Sequence, residues 1–307
     1  MFQWVSSAAD LHTTFFVFFP IWFHLLRDVA VKLIWLAVVG DWLNLVLKWV
    51  LFGERSYWRV HETKFYGPIK CPELQQFSIT CETGPGSPSG HAMGSAALLS
   101  VLTERQLPPL HYRVLQLMLW MLLGWVELLA CALMAAGLLF PGIIEAETFS
   151  RVQWIYSAGL RKYLSVNVFL LSFTVGFYVL LKAMCVGLLW TLAKAQKWCV
   201  NADWVLLDTT PFASLLRNMG TLFGLGLVLH LSGCRKHSSV SYSTGCIRVS
   251  LVLLQLLDKM TFSSSNQLLF YSLSFCKSAV ALELPTALVP GVICWISSKK
   301  KQKKKQA

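Results

Sequence analysis

From Val29 to Phe52 the chain is apolar apart from Lys32, Asp41, Asn44 and Lys48, with no proline to break it. A run of that length needs about 20 residues to cross a ~30 Å hydrocarbon layer and has more than enough. Backbone groups in lipid must be satisfied within their own segment, so such a run folds as a helix. Comparable apolar stretches cover Leu11–Leu26, Tyr163–Leu181, Pro211–Leu231 and Gln267–Ile296. Arg248–Leu257 is a shorter one that needs Cys246 or its flanks to cross. With 55% hydrophobic and 14% charged residues over 307 positions, an ordinary soluble domain is excluded. The expected architecture is an all-α polytopic membrane bundle forming one domain over 1–307, without internal repeats.

The net charge of +12 is no nucleic-acid signature. Six of the charges are Lys299, Lys300, Lys301, Lys303, Lys304 and Lys305. Residues 298–307 thus form a basic tail suited to anionic membrane lipid on the cytosolic side. Its last four residues, Lys304-Lys305-Gln306-Ala307, have the form of a dilysine retrieval signal. Arg27 and Lys32 mark a cytosolic turn between the first two spans by the positive-inside rule. Basic loops at Arg151–Lys162 and Arg235–Lys236 belong on the same face, and the near-balanced Trp190–Thr210 loop on the other. Trp198 and Trp204 there fit an interfacial belt. Met1–Asp10 has neither a basic n-region nor a cleavage site, so no signal peptide is expected.

The second span delivers Lys48 and Arg55, seven apart in KWVLFGER, to the non-cytosolic face. A loop then runs to CETGPGSPSGHAMG at 81–94. Gly84, Gly86 and Gly90 permit close backbone approach, while Pro85 and Pro88 delay helix formation. Ser87 or Ser89 suits an N-cap, and the next helix is expected from His91 to Leu102. Loop amides and a helix N-terminus aimed at one point favour an anion, above all phosphate. His91 is placed to protonate a leaving oxygen. A Gly/Pro/Ser loop before a helix is often only a connection, and a lone histidine is usually structural. Two cations converging with them form a constellation, which carries more weight.

Lys48, Arg55 and the Pro88-Ser89-Gly90-His91 run resemble the first two signatures of the lipid phosphatase and vanadium haloperoxidase superfamily. The wording is closest to the glucose-6-phosphatase catalytic subunit family, in FFPIWFHL (18–25), GDWLNLVLKWVLFG (40–53), AETFS (146–150), DTTPFASLL (208–216), GTLFGLGL (220–227) and LSFCKSAV (273–280). The resemblance implies a phosphatidic-acid-phosphatase-like helical core. It implies hydrolysis of glucose 6-phosphate at the lumenal face of the endoplasmic reticulum, without metal or other cofactor, and a possible sugar-phosphate transporter as partner. Lys48, Arg55, Ser89 and Gly90 would bind the phosphate, and His91 would be the proton donor.

The chain departs from that family at the third signature, SRxxxxxHFPHQ, which supplies a nucleophilic histidine and a further phosphate-binding arginine. Here ACALMAAGLLFPGIIEAETFS, from Ala130 to Ser150, holds neither arginine nor histidine. Ser150-Arg151 is followed six residues on by Ser157, and His61 sits in a loop that rarely fixes in-line geometry. Ser56 stands where the first signature has proline, which is expected to loosen the turn after Arg55. No nucleophile is found, and catalysis is expected to be weak or absent. The rival expectation is a non-catalytic phosphate-binding pseudoenzyme or partner-binding protein. A transporter is a weaker third reading, because the spans lack paired charges. Arg113–Ile144 is too long for one crossing and too short for two, leaving eight or nine spans.

Nine cysteines are scattered without metal spacing. Cys131, Cys276 and Cys294 lie in apolar runs as small core residues. Cys71 and Cys81 flank the glycine-rich loop on its oxidising side, where a disulfide between them is chemically possible. No Asn-x-Ser/Thr sequon occurs.

Overall fold

The computed structural model describes residues 11–63, 74, 76–77, 81–86, 88, 90, 93–94, 152, 154–187, 190–205, 210–231, 240–260 and 266–306. The described residues are all helical or loop. Helix α1 is built from Leu11–Thr13, a π-helical stretch Thr14–Phe18, and Phe19–Leu25. Pro20 lacks the N–H that would bond back to Phe16, and the wide π turn just before it absorbs that loss. Leu26, at φ −142° and ψ 89°, breaks the rod.

Next comes α2, Arg27–Leu51, the most enclosed helix of the bundle, with Trp35, Leu36, Val38, Asn44 and Trp49 all buried. Sequence had placed it two residues later at its start, and Phe52 ends it in the left-handed region at φ 49°. The loop helix α3, Ser56–Glu62, follows. Then come α4 (Leu160–Ala183), α5 (Trp190–Trp198), α6 (Pro211–Leu231) and α7 (Val240–Asp258). The last rod comprises α8 (Gln267–Glu283), a second π turn Leu284–Leu288 enclosing Pro285, and α9 (Val289–Gln306). The segments expected at 95–102 and 113–144 lie outside the described residues.

Four of these stretches are long and apolar enough to cross a membrane: Arg27–Glu62, Leu160–Ala183, Pro211–Leu231 and Gln267–Ile296. The short Arg248–Leu257 run proves to be part of a helix that begins at Val240. Its polar first half is helical because Cys246, Ser250 and Leu254, four apart, form one buried seam, and Tyr242 Oη donates to the Pro290 carbonyl at 3.0 Å.

Ring and hydrogen-bond pairs fix the helix directions. Along α2 and α4, Trp35 meets Tyr163, Trp42 meets Phe173, and Trp49 meets Phe177, so the two run parallel. Two polar bonds tie them: Trp35 Nε1 donates to Tyr163 Oη at 3.0 Å, and Trp42 Nε1 to Thr174 Oγ1 at 2.9 Å. Interhelical bonds of this kind contribute roughly 0.6 kcal/mol each in a membrane setting. Helix α6 runs the opposite way, with Phe212 against Trp49 and Gly226 against Tyr163. In parallel with α6 lies α8, where Gly220 faces Phe275 and Gly224 faces Ala279. These small residues let the two backbones approach closely. Arg27, Arg161, Lys162 and Lys299 therefore gather towards one end of the bundle, and Lys48 and Arg55 stand at the other.

Candidate active site

Asp41, Asn44 and Lys48 are spaced i, i+3, i+7 along α2 and so share one face of its last turns. The Phe52 amide caps the helix on the Lys48 carbonyl at 3.2 Å. The left-handed turn at Phe52 then reverses the chain, and Arg55, extended at φ −81° and ψ 144°, becomes the N-cap residue of α3. Ser56 is the first residue of that helix. The expected loosening is not carried by a lost contact there, because a first-turn N–H has no partner within the helix whichever residue stands in it.

The glycine-rich loop docks onto this turn. The Gly86 amide donates to the Gly53 carbonyl at 2.8 Å, and Arg55 Nε donates to the Gly84 carbonyl at 2.7 Å. Arg55 Nη2 pairs with Glu82 Oε2 at 2.8 Å. Farther along, buried Asn44 donates through Nδ2 to the Pro88 carbonyl at 3.1 Å. The approach is tight at two glycines, where a Cβ would press on its neighbour. A Cβ at Gly86 would stand 3.0 Å from Arg55 Cγ, and one at Gly90 would stand 3.3 Å from Asn44 Oδ1. Lys48 Nζ lies 4.0 Å from where a Cβ at Gly84 would be. Thus Lys48 and Arg55 both come to the backbone at Gly84, Arg55 also to Gly86, and Gly90 packs on Asn44 a turn along α2. Ser89 and His91 lie outside the described residues, between and beside Pro88, Gly90 and Met93, which are described.

Behind Lys48, the Asp41 carboxylate accepts from Ser214 Oγ and, at 2.6 Å, from Asn218 Nδ2. That network ties the site helix to the first turns of α6. Neither Asn44 nor Asp41 was singled out in the sequence. Their signal was available as helical spacing from Lys48, which puts polar residues on one face of an otherwise apolar span.

A cap of loop helices covers the outer side. Lys194 of α5 bridges Glu54 at 2.8 Å and Glu62 at 2.6 Å, with Nζ 4.8 Å from the Trp190 ring centre. Partial burial opposes the Lys194 charge, but the hydrogen bonds and charges of both carboxylates outweigh it and raise its pKa above the usual lysine value. Trp198 Nε1 donates to Glu62 Oε1 at 2.9 Å. His61 stacks flat on Trp198, with centroids 4.8 Å apart and planes at 5°. That ring is engaged with the cap. Trp198 packs in this cap beside Tyr57, Trp58 and Trp190.

Cys81 is joined to Cys199, 118 residues away in sequence with Cα atoms 5.9 Å apart. This overturns the Cys71–Cys81 pairing: the C-terminal end of α5 folds over the start of the glycine-rich loop and brings the distant cysteine to Cys81. Cys71 lies outside the described residues. Among the described residues, no cluster of His, Cys, Asp or Glu is arranged to hold a metal ion.

No family model matches the chain, and no solved structure matches it. Curated relatives do. The chain is 59% identical to glucose-6-phosphatase catalytic subunit 1 of Haplochromis nubilus, over 97% of this chain and 90% of that protein. Its identity to glucose-6-phosphatase catalytic subunit 1 of Canis lupus familiaris is 48%, over 93% and 87%. With glucose-6-phosphatase 2 of Homo sapiens it is 40%, over 94% and 88%. At these identities and this coverage, the chain belongs to the glucose-6-phosphatase catalytic subunit family.

Proposed function

We propose that this chain binds the phosphate of glucose 6-phosphate between Lys48, Arg55 and the loop at Ser89 and Gly90, and that it hydrolyses the ester weakly or not at all. The observation that carries the reading is the convergence of Lys48 and Arg55 on the backbone at Gly84 and Gly86. Two cations beside a turn of glycine amides match the charge and size of a phosphate. His91, next in the chain after Gly90, is the proton donor to the sugar oxygen in this reading. The stretch 130–150 contains no histidine to receive the phosphoryl group and no arginine to grip it. General-acid help alone supplies about 10²–10⁴ of rate, far short of a full catalytic apparatus.

The site end is the lumenal face of the endoplasmic-reticulum membrane. Two observations support this orientation. The Cys81–Cys199 bond stands at the site end and forms only in an oxidising compartment. Arg27, Arg161, Lys162 and Lys299 lie towards the opposite end, as the positive-inside rule asks of the cytosolic face. The parallel course of α2 and α4 supports nine spans, because eight would set those helices antiparallel.

Phosphate release from glucose 6-phosphate by permeabilised microsomes carrying the full chain tests the proposal, with His91→Ala as background. Both proteins are expected to insert in the membrane and bind vanadate, and the wild-type rate to exceed the His91→Ala rate by no more than the factor of about 10²–10⁴ that a general acid supplies. Accumulation of a phosphorylated protein during turnover would overturn the claim of a missing nucleophile.

A further inference from the structure

The loop from Cys81 to Gly90 has almost no regular structure of its own, so its shape depends on what grips it. Three grips come from α2 and the turn after it: Asn44 of the helix on Pro88, and Gly53 and Arg55 of the turn on Gly86 and Gly84. The fourth is of a different kind. Cys81, fully buried, bonds covalently to Cys199 at the end of α5. Gln76, upstream of Cys81, clasps the same place from both sides. Its Nε2 donates to the Trp198 carbonyl at 3.2 Å, and its Oε1 accepts from the Val200 amide at 3.0 Å. The far side of the cap is anchored to the turn carrying Arg55, through Lys194 on Glu54 and Glu62. A closed ring results: Arg55 turn, α3, α5, disulfide, loop, and back to Arg55 through Gly84.

We propose that the α5 cap and its Cys81–Cys199 bond are the positioning element of the anion-binding loop, and that reduction of this bond lowers the site's affinity for phosphate. The inference rests on the reading that this loop binds phosphate. A dithiol reductant delivers two electrons and two protons: the S–S bond breaks, Cys81 and Cys199 become thiols, and the reductant leaves as its own disulfide. The start of the loop is then held without a covalent tie, by the Gln76 hydrogen bonds and by Arg55 on Glu82. The loop spends less time in the binding shape, and apparent affinity falls in proportion to the competent fraction. If that fraction drops to about a tenth, the dissociation constant rises about tenfold. The lumenal compartment thereby reports its redox state to the site through a bond that touches no substrate.

Vanadate binding to the detergent-purified full chain separates the outcomes. The oxidised protein is expected to bind, the dithiothreitol-treated protein to bind about tenfold more weakly, and reoxidation to restore the first value. Cys199→Ser is expected to match the reduced protein and to ignore the reductant, whereas Cys276→Ser keeps the wild-type response. A wild type that binds equally well before and after reduction, with thiol titration confirming that the bond has opened, would overturn the brace. Failure of the oxidised protein to bind vanadate at all would instead overturn the phosphate-site reading. The reduction experiment uses the folded wild type, so it stands even where Cys199→Ser does not fold.

Discussion

Leucine at Gly224 is expected to leave less than about a tenth of the normal yield of monodisperse protein, because its side chain has nowhere to go but into backbone. A Cβ at Gly224 would stand 2.5 Å from the Ala279 carbonyl oxygen, and one at Gly220 only 2.3 Å from that of Phe275. Real Cβ atoms do not approach so closely, and a helix backbone cannot swing aside as a long side chain does. Helices α6 and α8 would have to separate along their shared face, which also carries α2 and α4 on its flanks. Overpacking a well-fitted core costs about 1–3 kcal/mol when side chains can yield, and more when they cannot. A total stability of about 5–15 kcal/mol leaves little margin for that. Alanine at either glycine should already lower the melting temperature in detergent. Leucine at Gly176, which has open space around it, is the matched control and should behave as wild type. Equal size-exclusion profiles for Gly224→Leu and Gly176→Leu would refute the close crossing.

Much of this arrangement was legible in the sequence, and the parts that were not share a physical cause. Helix α6 was placed at its observed ends, because Pro211 opens it and a mostly apolar run, interrupted at Arg217 and Asn218, follows. The end of α2 and the turn to Arg55 were readable because glycine, a cation and a loop signal coincide there. Lys48 and Arg55 could be joined to the 84–90 loop by their chemistry before any geometry was known. What escaped depends on contacts distant in sequence. Cys199 is no closer to Cys81 in the chain than several other cysteines, and only the fold of α5 over the loop selects it. The start of α7 was missed because Ser241, Ser243 and Thr244 read as loop residues, while the buried seam of Cys246, Ser250 and Leu254 overrides that local preference. Composition did not show that the Trp198 ring and indole N–H are both used inside the cap. Asp41 and Asn44 sat in plain view on the face of Lys48 and were passed over as polar interruptions of a span.

Removing either cation is expected to abolish most of the site's hold on an oxyanion, but not by equal routes. For Lys48→Met the expected loss in vanadate affinity is about 10–150-fold, the equivalent of one charge-assisted hydrogen bond at about 1.5–3 kcal/mol. Arg55→Met should lose more than that. In the folded protein Arg55 pairs with Glu82 and holds the Gly84 carbonyl, so its removal takes a cation from beside that carboxylate and frees the loop at Gly84. Like charges so placed repel, and the cost adds to the lost attraction. The double variant Arg55→Met/Glu82→Gln should therefore bind vanadate better than Arg55→Met alone, a non-additivity that marks coupled neighbours. Lys299→Met is the control, because that ammonium lies 4.0 Å over the Trp295 ring at the opposite end of the bundle. Wild-type vanadate affinity in both Lys48→Met and Arg55→Met would remove the basis for a phosphate site here. A double variant no better than Arg55→Met would leave the site standing and show instead that Arg55 acts by shaping the loop, with the charge of Glu82 immaterial.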